Sequence, residues 1–422
     1  MKVQLVHAVN KTLPVARDKW LAPLNLLSLS TYLEKSNIDV EILDGVHLSQ
    51  NEILARIDGD IVGINFNIYS TNEMEQISKQ AKNKGSLVVL GGHAATSLSR
   101  QILNKNKSID LVVRYDGEEA LRQIAEKVRL GKRDFSGIPN LVYRKNKGLV
   151  EEKIESLDVR ALPIPDRKSG RINLEDYISS FDKEPLIGEF VEGRKATNAQ
   201  SIRGCNHACS FCGRIYKEIR TRKPEQVYEE DKMLAKDFGV DYICETADNF
   251  FADHKWLNAL AEVYRNRGRL SVEYWAACHI ADITPGTVEV MKFLNVGMVC
   301  VGIESGSEEI RRQNGKNFSN EKIFSAAKLL KKAGIRLQDN YILGLIGESE
   351  KTIKETYFLA KKVAELCDVS ERRGFHLILP TPGAPLWEKM MQIPTLKTKY
   401  GEDYKFNTEE LRRDYLKHFC KL

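Results

Sequence analysis

The sequence predicts an α/β protein that combines an N-terminal Rossmann-like, doubly wound parallel sheet with a partial (β/α)6 barrel of the TIM type. Two observations predict this fold class. From Lys2 to Val128, short aliphatic runs alternate with amphipathic stretches of helical spacing, and the same alternation restarts at Ala196. Strands with so few polar positions are typical of parallel sheets that helices cover on both faces. We therefore expect two α/β domains in series.

The first predicted domain spans residues 1–138. Its second strand runs into Asp44-Gly45 and its fourth into Gly91-Gly92. Ligands of doubly wound sheets bind beyond the carboxyl ends of the strands, so these residues are candidate binding positions. The predicted elements are the strands Lys2–Val6, Asp39–Leu43, Ile61–Phe66, Leu87–Leu90 and Leu111–Arg114 and the helices Asn25–Lys35, Asn72–Lys84 and Glu118–Val128.

Residues 139–195 are predicted to be a hairpin followed by a linker. Leu141-Val142-Tyr143 and Gly148-Leu149-Val150 flank a polar turn, which is a hairpin pattern. The remainder carries Leu162-Pro163-Ile164-Pro165 and many charges, which indicates little regular structure.

The second predicted domain, the barrel, spans residues 196–388, and its site is expected at the carboxyl ends of its strands. Residues 389–422 form a short polar extension that the pattern does not assign. The predicted strands are Ala199–Ile202, Asp241–Cys244, Val272–Ala277, Met298–Ile303, Leu337–Leu343 and Phe375–Leu379, and the helices are Glu225–Phe238, Lys255–Asn266, Thr287–Leu294, Glu321–Lys332 and Thr352–Leu366.

Composition narrows the function classes. Lys and Arg number 64 and Asp and Glu 58, which gives a net charge of +6, and no run of five basic residues occurs. We therefore do not expect a nucleic-acid partner. No apolar run is long enough to span a membrane and the N-terminus has no signal-peptide pattern, so we expect a cytoplasmic protein without a membrane partner. Eight cysteines in such a chain point to metal or redox chemistry rather than a disulfide framework.

The strongest motif is a cysteine cluster with the spacing C-x3-C-x2-C, formed by Cys205, Cys209 and Cys212 directly after the first predicted barrel strand. Thiolates are the usual ligands of iron–sulfur clusters, and three of them would leave one iron of a four-iron cluster open. Zinc with His207 as a fourth ligand is the alternative, although no second cysteine pair accompanies the motif. Three incidental thiols are the other alternative.

The motif resembles that of the radical S-adenosylmethionine (SAM) superfamily, in the branch that carries an N-terminal cobalamin-binding domain. The resemblance runs from about Lys2 to Trp387. It is carried by Arg203-Gly204-Cys205-Asn206, Phe211-Cys212, Gly302-Ile303-Glu304-Ser305-Gly306, Leu343-Gly344-Leu345-Ile346-Gly347-Glu348 and Pro380-Thr381-Pro382-Gly383.

The resemblance implies a [4Fe–4S] cluster on the three cysteines, whose open iron chelates SAM, and reductive cleavage of SAM to a 5′-deoxyadenosyl radical. The branch usually has a second acidic residue where this chain has Asn249, and an Arg where it has His279. Each implied contact has a structural alternative. The alternatives are a core aromatic for Phe211, a solvated acidic turn for Asp248 and Glu245, a helix cap by Ser305 or Ser307, and a simple strand-to-helix turn for Gly344 and Gly347. The implied SAM contacts are Phe211, Asp248, Glu245, Glu304, Ser305, Gly344 and Gly347.

For the first domain the resemblance implies bound cobalamin. The Asp-x-His-x-x-Gly signature that supplies a histidine to cobalt is absent, so His7 and His47 are not assigned as ligands. Some members of the branch keep the domain without using cobalamin. The implied cobalamin contacts are Asp44, Gly45, Ser70, Gly91, Gly92, His93, Gly117 and Glu118.

The function implied is methylation of an unactivated carbon of a small-molecule or natural-product substrate, with electrons from a donor such as flavodoxin or ferredoxin. Ring closure or contraction without methyl transfer is the alternative within the branch. A methylthiotransferase would need an additional N-terminal cysteine set, and residues 1–204 contain no cysteine. A cofactor-based sensor would need an effector domain, and too few residues follow Trp387.

Overall fold

The computed structural model describes residues 1–12, 20–146, 148–183, 191–369 and 374–421. The chain divides into two compact units. The first comprises residues 1–174 and 393–406, and the second comprises residues 175–392 and 407–422. None of the helices in the described ranges is both long enough and apolar enough to cross a membrane.

The first unit is built on a seven-stranded sheet with the strand order β2-β1-β3-β4-β5-β6-β7. Strands β1 to β5 pair in parallel. The order changes direction between β1 and β3, and ligands of such sheets bind outside this point. The elements are β1 (Lys2–His7), α1 (Leu24–Glu34), β2 (Asp39–Asp44), α2 (Gln50–Arg56), β3 (Ile61–Asn65), α3 (Thr71–Asn83), β4 (Leu87–Gly91), α4 (His93–Lys105), β5 (Leu111–Val113), α5 (Glu118–Arg129), β6 (Leu141–Lys145) and β7 (Gly148–Glu151).

The hairpin at the end of this sheet departs from the predicted division of the chain. Strand β6 pairs antiparallel with β5, Val112 opposite Val142, and β7 pairs with β6. Val142 is fully buried in the same core as Val112. The hairpin therefore extends the first sheet instead of forming part of a separate linker, because its apolar face covers the otherwise open edge of β5.

The second unit is an open half-barrel. The six strands of its main sheet are all parallel, with the order β15-β14-β13-β12-β11-β8. Chain order thus equals spatial order, as predicted for a partial (β/α) barrel. The elements are α6 (Leu174–Ser180), β8 (Ala196–Ala199), β9 (Ile202–Arg203), β10 (Arg220–Thr221), α7 (Pro224–Phe238), β11 (Tyr242–Glu245), α8 (His254–Arg267), β12 (Glu273–Cys278), α9 (Pro285–Phe293), β13 (Val296–Glu304), α10 (Glu308–Gln313), α11 (Asn320–Ala333), β14 (Arg336–Leu343), α12 (Glu350–Leu366), β15 (Gly374–Leu377) and α13 (Pro385–Met390).

The first barrel strand lies earlier than predicted. The sequence suggested Ala199–Ile202, but β8 ends at Ala199, and Ile202 belongs to the short strand β9. Strand β9 pairs antiparallel with β10 and not with the barrel. The shift arises because Ser201 bends away to donate hydrogen bonds to the buried carboxyl group of Glu245.

The C-terminal segment that follows α13 contributes to both units. Helix α14 (Pro394–Tyr400) and the residues up to 406 belong to the first unit, where Tyr404 is buried in the core. Helix α15 (Thr408–Phe419) belongs to the second unit. There the Gly347 amide donates to the Phe419 carbonyl (2.9 Å) and the Lys421 amide donates to the Glu348 carbonyl (2.7 Å).

Candidate active site

The cysteine cluster occupies the loop between β9 and β10. The two strands hold the base of the loop, with Arg203 opposite Arg220, and the Cys205 amide donates to the Tyr216 carbonyl (3.2 Å). Gly204 has φ +94°, and a Cβ at this position would collide with the Glu218 carbonyl. The glycine before the first cysteine is therefore required by the close return of the loop.

A second anchor fastens the middle of the loop. The Ser210 amide donates to the Asn314 carbonyl (3.0 Å), the Ser210 hydroxyl donates to Asn314 Oδ1 (2.9 Å), and the Ser210 carbonyl accepts from the Leu386 amide (2.7 Å). Gly315 has φ +81°, and a Cβ there would collide with the Ala208 carbonyl. The residues after α10 and the first turn of α13 thus fix the cysteine loop, although neither was singled out from the sequence.

The three cysteines of the loop are free thiols. Burial raises the pKa of each, that of Cys212 to about 11, and Cys205 further raises the pKa of Cys209 and Cys212. Three soft sulfur ligands on one loop fit an iron–sulfur cluster with one open iron. The thiolates that such a cluster needs would be stabilised by the metal itself.

The zinc alternative is not supported, because His207 forms a possible ligand group with His279 and Asp282 and not with the three cysteines. Its ring stacks on that of His279, with 3.6 Å between ring centroids. Phe318 meets the ring of His279 edge-on at 5.6 Å. His207 therefore attaches the cysteine loop to the end of β12, and His279, which replaces the Arg usual in the branch, supplies the second half of the stack.

His207, His279 and Asp282 bring possible ligand atoms within 4.8 Å of one another. A metal site here is nevertheless disfavoured. Burial lowers the pKa of His279 to about 3, so its ring is neutral, and its Nδ1 accepts from the Ala281 amide (3.2 Å). The other nitrogen then carries the proton and offers no lone pair. Asp282 in turn accepts from Asn249 (2.7 Å), which explains the amide found where the branch usually has an acid.

The two acidic candidates after β11 differ in exposure. Asp248 is exposed, and its charge contributes to the raised pKa of Cys205 and Cys212, which places it beside the thiols. Glu245 is buried and accepts from the Ser201 amide (2.9 Å), the Ser201 hydroxyl (2.7 Å) and the Ala247 amide (3.1 Å). The geometry does not support the predicted contact of Glu245 with SAM, because its carboxyl group already accepts hydrogen bonds from Ser201 and Ala247.

At the end of β13, Glu304 forms a buried ion pair that the sequence did not reveal. Its Oε1 lies 2.8 Å from Lys316 Nζ, and each side chain is only 8% exposed. Lys316 also donates to the Gly302 carbonyl (2.6 Å). Nothing in the spacing of Asn314-Gly315-Lys316 distinguishes this lysine from a surface lysine, so only the fold identifies it.

Ser305 has a structural role that the predicted SAM contact did not include. It is fully buried, and its Oγ accepts from the Ser307 amide (3.2 Å) at the start of α10 and lies 3.3 Å from the Thr356 hydroxyl. Ser305 thus stabilises the turn that leads into α10, whose N-cap residue Ser307 makes no side-chain cap hydrogen bond. Phe211, by contrast, is half-buried within the cysteine loop, and its predicted role stays a prediction.

The glycines after β14 are explained by the chain's own packing. Gly344 has φ +94°, its amide donates to the Glu348 carboxylate, and a Cβ would lie 2.6 Å from Ile378 and 2.7 Å from Leu416. Gly347 has φ +85°. The turn and the approach of α15 account for both glycines, so this geometry does not require adenine contacts by Gly344 and Gly347.

In the first unit, four predicted cobalamin residues lie at the carboxyl ends of parallel strands. Asp44 Oδ1 lies 3.0 Å from His7 Nδ1, both groups being buried, and a Cβ on Gly45 would collide with the His7 carbonyl. Gly92 has φ +104°, with Asn65 Oδ1 2.7 Å from where its Cβ would be. At Gly91, a Cβ would meet no atom of the chain within 4 Å. Gly91 therefore leaves room for a ligand against the backbone.

The other predicted cobalamin residues have different surroundings. The buried Ser70 hydroxyl donates to the Asn67 carbonyl (3.2 Å) within its own turn. Glu118 is buried and accepts from Ser28 on α1 (2.9 Å), and a Cβ on Gly117, which precedes α5, would lie 3.4 Å from Leu29. These contacts serve the fold, so the geometry does not support an assignment of Ser70, Gly117 and Glu118 to cobalamin. His93 is exposed at the start of α4 and stays a prediction.

Comparison with known families decides the assignment. The profile of the radical SAM superfamily matches residues 200–360, and that of the B12 binding domain matches residues 17–125. The chain contains a radical SAM domain. Its N-terminal part is a B12-binding domain, as the sequence resemblance predicted.

Relatives of this radical SAM protein include enzymes of several activities. It is 26% identical over 409 residues to an uncharacterized methyltransferase, PH0819, of Pyrococcus horikoshii, covering 94% of this chain and 84% of that protein. It is 27% identical over 358 residues to the anaerobic magnesium-protoporphyrin IX monomethyl ester cyclase of Rubrivivax gelatinosus, covering 81% of this chain and 61% of the cyclase.

Two solved radical SAM structures share the fold. The methyltransferase TsrM from Kitasatospora setae, with cobalamin and a [4Fe–4S] cluster bound, superposes with a TM-score of 0.76 at 19% identity and covers 93% of this chain and 75% of TsrM. OxsB, with aqua-cobalamin and SAM bound, gives a TM-score of 0.72 at 17% identity and covers 100% of this chain and 58% of OxsB. The predicted fold class is confirmed, and the expected cofactors are those that the two neighbours bind between them.

Proposed function

We propose that this chain is a cobalamin-dependent radical SAM methyltransferase acting on an unactivated carbon of a small-molecule or natural-product substrate. The observation that carries the proposal is the set of three thiols on one anchored loop, in a chain whose first unit is a B12-binding domain. Cys205, Cys209 and Cys212 would hold a [4Fe–4S] cluster. When bound, the cluster would supply the electron that cleaves SAM, and methylated cobalamin would supply the methyl group.

The residues of the second unit would position SAM on the open side of the cysteine loop. Asp248 is exposed beside the thiols, and a carboxylate suits the ammonium group of SAM through charge-assisted hydrogen bonds. The stack of His207 on His279 and the bonds from Ser210 to Asn314 keep the loop in one conformation. Such fixed geometry is what productive positioning requires.

In the first unit, the carboxyl edge of the parallel sheet would hold cobalamin. The open space at Gly91 supports close passage of the nucleotide tail along the backbone. Asp44, fixed by His7, and the exposed His93 are the polar groups that we assign to this edge.

The test starts from protein purified and reconstituted without oxygen. We expect iron and sulfide with charge-transfer absorption, corrinoid bands after cobalamin loading, and 5′-deoxyadenosine and S-adenosylhomocysteine once SAM and a reductant are added. Reduced flavodoxin and ferredoxin are the physiological donors to compare with a chemical reductant. Tryptophan is a first substrate to try, because a neighbouring TsrM structure contains it.

A cysteine variant and a matched control locate the chemistry. Cys209→Ala should lose the cluster and both products. Cys367→Ala should keep them, because Cys367 is buried at the carboxyl end of α12, next to the start of β14 and thus at the opposite end of the barrel. A wild-type protein that assembles no cluster would disprove the proposal.

A second candidate is radical ring closure without methyl transfer, which the similarity to the cyclase favours. Formation of 5′-deoxyadenosine without S-adenosylhomocysteine, in the presence of substrate, would indicate this activity. The chain is also 24% identical to the tRNA-2-methylthio-N(6)-dimethylallyladenosine synthase of Ehrlichia canis. A methylthiotransferase is nevertheless the weaker candidate, because residues 1–204 contain no cysteine for a second cluster.

A further inference from the structure

Lys316 is a lysine that the fold buries beside the cysteine loop. Its Nζ lies 2.8 Å from Glu304 Oε1 and donates to the Gly302 carbonyl (2.6 Å). Burial alone lowers the pKa of Lys316, but the charge of Glu304 and the Cys209 thiol outweigh burial, so the pKa is raised. The side chain is therefore an ammonium ion at neutral pH.

Lys316 directly follows a residue that packs against the cysteine loop. A Cβ on this residue, Gly315, would lie 3.2 Å from the Cys209 Cα. The backbone fixes this placement, because Asn314 is bonded to Ser210 and Gly315 lies against the Ala208 carbonyl. The ammonium group is thus held at a set position relative to the cysteines.

The ion pair is accompanied by features that are unfavourable for the stability of the fold. Burying two charges costs free energy that apolar residues of the same size would not. Glu304 has φ +70°, a conformation that residues other than glycine rarely adopt, and it follows a bulge in the pairing of β13 with β14. A Cβ on Gly302 would collide with the Glu304 carboxylate and lie 2.7 Å from Lys316 Nζ. Backbone strain of this kind concentrates at functional sites.

We propose that Lys316 and Glu304 form a fixed ion pair that sets the reduction potential of the metal cluster held by Cys205, Cys209 and Cys212. The inference rests on the proposed function. The positive charge of Lys316 stabilises the reduced cluster, the negative charge of Glu304 opposes reduction, and the balance sets the reduction potential. Both residues are positioning residues that act through the cluster.

The test is an anaerobic potentiometric titration of the reconstituted full chain without SAM, followed by the EPR signal of the reduced cluster. Lys316→Met should shift the midpoint potential to a more negative value. Glu304→Gln should shift it to a more positive value, and the double variant should return toward the wild type. Lys332→Met, which removes an exposed lysine of α11, is the control and should leave the potential unchanged.

Lys316→Arg is a second control, for the case in which Lys316→Met assembles less cluster. The Arg variant keeps the positive charge and should keep the potential near that of the wild type. Shifts of the same sign in Lys316→Met and Glu304→Gln, or no shift in either, would overturn the inference. An unchanged potential with weakened SAM binding in Lys316→Met would overturn it in favour of an anchor for the SAM carboxylate. If the wild-type protein assembles no cluster, the proposed function is disproved, and this inference is disproved with it.

Discussion

The hydroxyl group of Ser210 donates to Oδ1 of Asn314 across 2.9 Å, and it joins the cysteine loop to a segment far along the chain. Both side chains are buried. Asn314 also donates to the Ile310 carbonyl (2.8 Å) and the Ile346 carbonyl (3.3 Å), so one amide connects three segments. The loop geometry therefore depends on a residue that would not ligate any metal.

Asn314→Ala should reduce the iron content of reconstituted protein and destabilise the fold. A buried hydroxyl and carbonyl groups would lose their partners, at a cost of about 1–3 kcal/mol for each unsatisfied group. Iron and sulfide analysis and urea unfolding measure the two effects. Asn317→Ala, at an exposed position of the same segment, is the control. Equal iron content in both variants would contradict the anchoring role.

Replacing His279 tests the ring stack. His279→Ala should weaken the attachment of the cysteine loop, because stacked aromatic rings contribute about 0.5–1.5 kcal/mol. His279→Phe should retain most of the stability, since a phenyl ring can stack on His207. Thermal unfolding and iron content of the two variants give the comparison, with the exposed His254→Ala as control. If Phe were as disruptive as Ala, hydrogen bonding of His279 rather than stacking would be responsible.

Neighbouring glycines of the first unit should respond differently to alanine. Gly91→Ala should leave the unfolding free energy nearly unchanged but weaken cobalamin binding, because the new methyl group meets only open space in the chain. Gly92→Ala should destabilise the unit by about 1–3 kcal/mol, since φ is +104° there. Titration with hydroxocobalamin and urea unfolding separate the two outcomes. Unimpaired cobalamin binding by Gly91→Ala would move the cofactor site away from this edge.

Stability should fall between about pH 4 and about pH 8 because two carboxyl groups are buried in the second unit. Burial raises the pKa of Asp231 to about 7 and that of Glu245 to about 8. Both groups keep their protons when folded and lose them on unfolding, so rising pH favours the unfolded state until the folded pKa is passed. The slope is at most about 1.4 kcal/mol per pH unit for each group.

Urea unfolding at pH 5 and pH 8 measures this dependence. Asp231→Asn should flatten it, because the amide oxygen can still accept from Tyr264 and Tyr274, which now bond to Asp231 Oδ2 across 2.7 and 2.6 Å, but cannot ionise. A pH profile identical to that of the wild type would assign the effect to other groups.

The sequence predicted the two sheets because their apolar strands recur at regular intervals, and it located the cysteines because their spacing is specific. It could not reveal the structural roles of Ser70, Glu118 and Ser305, because a polar residue at the end of a strand looks the same whether it binds a ligand or its own chain. The partner of Glu118 is Ser28, 90 residues away, and no local pattern reports such a pair. Lys316 and Asn314 were missed for the same reason.

Tyr404 is buried in the core of the first unit although it lies far beyond residue 174, where that unit's main segment ends. During synthesis, the hydrophobic interior of the first unit therefore stays incomplete until residues 393–406 have left the ribosome. A fragment that ends near residue 174 would lack Tyr404, and the core of the first unit would be incomplete. We expect such a fragment to aggregate unless residues 393–406 are supplied in trans.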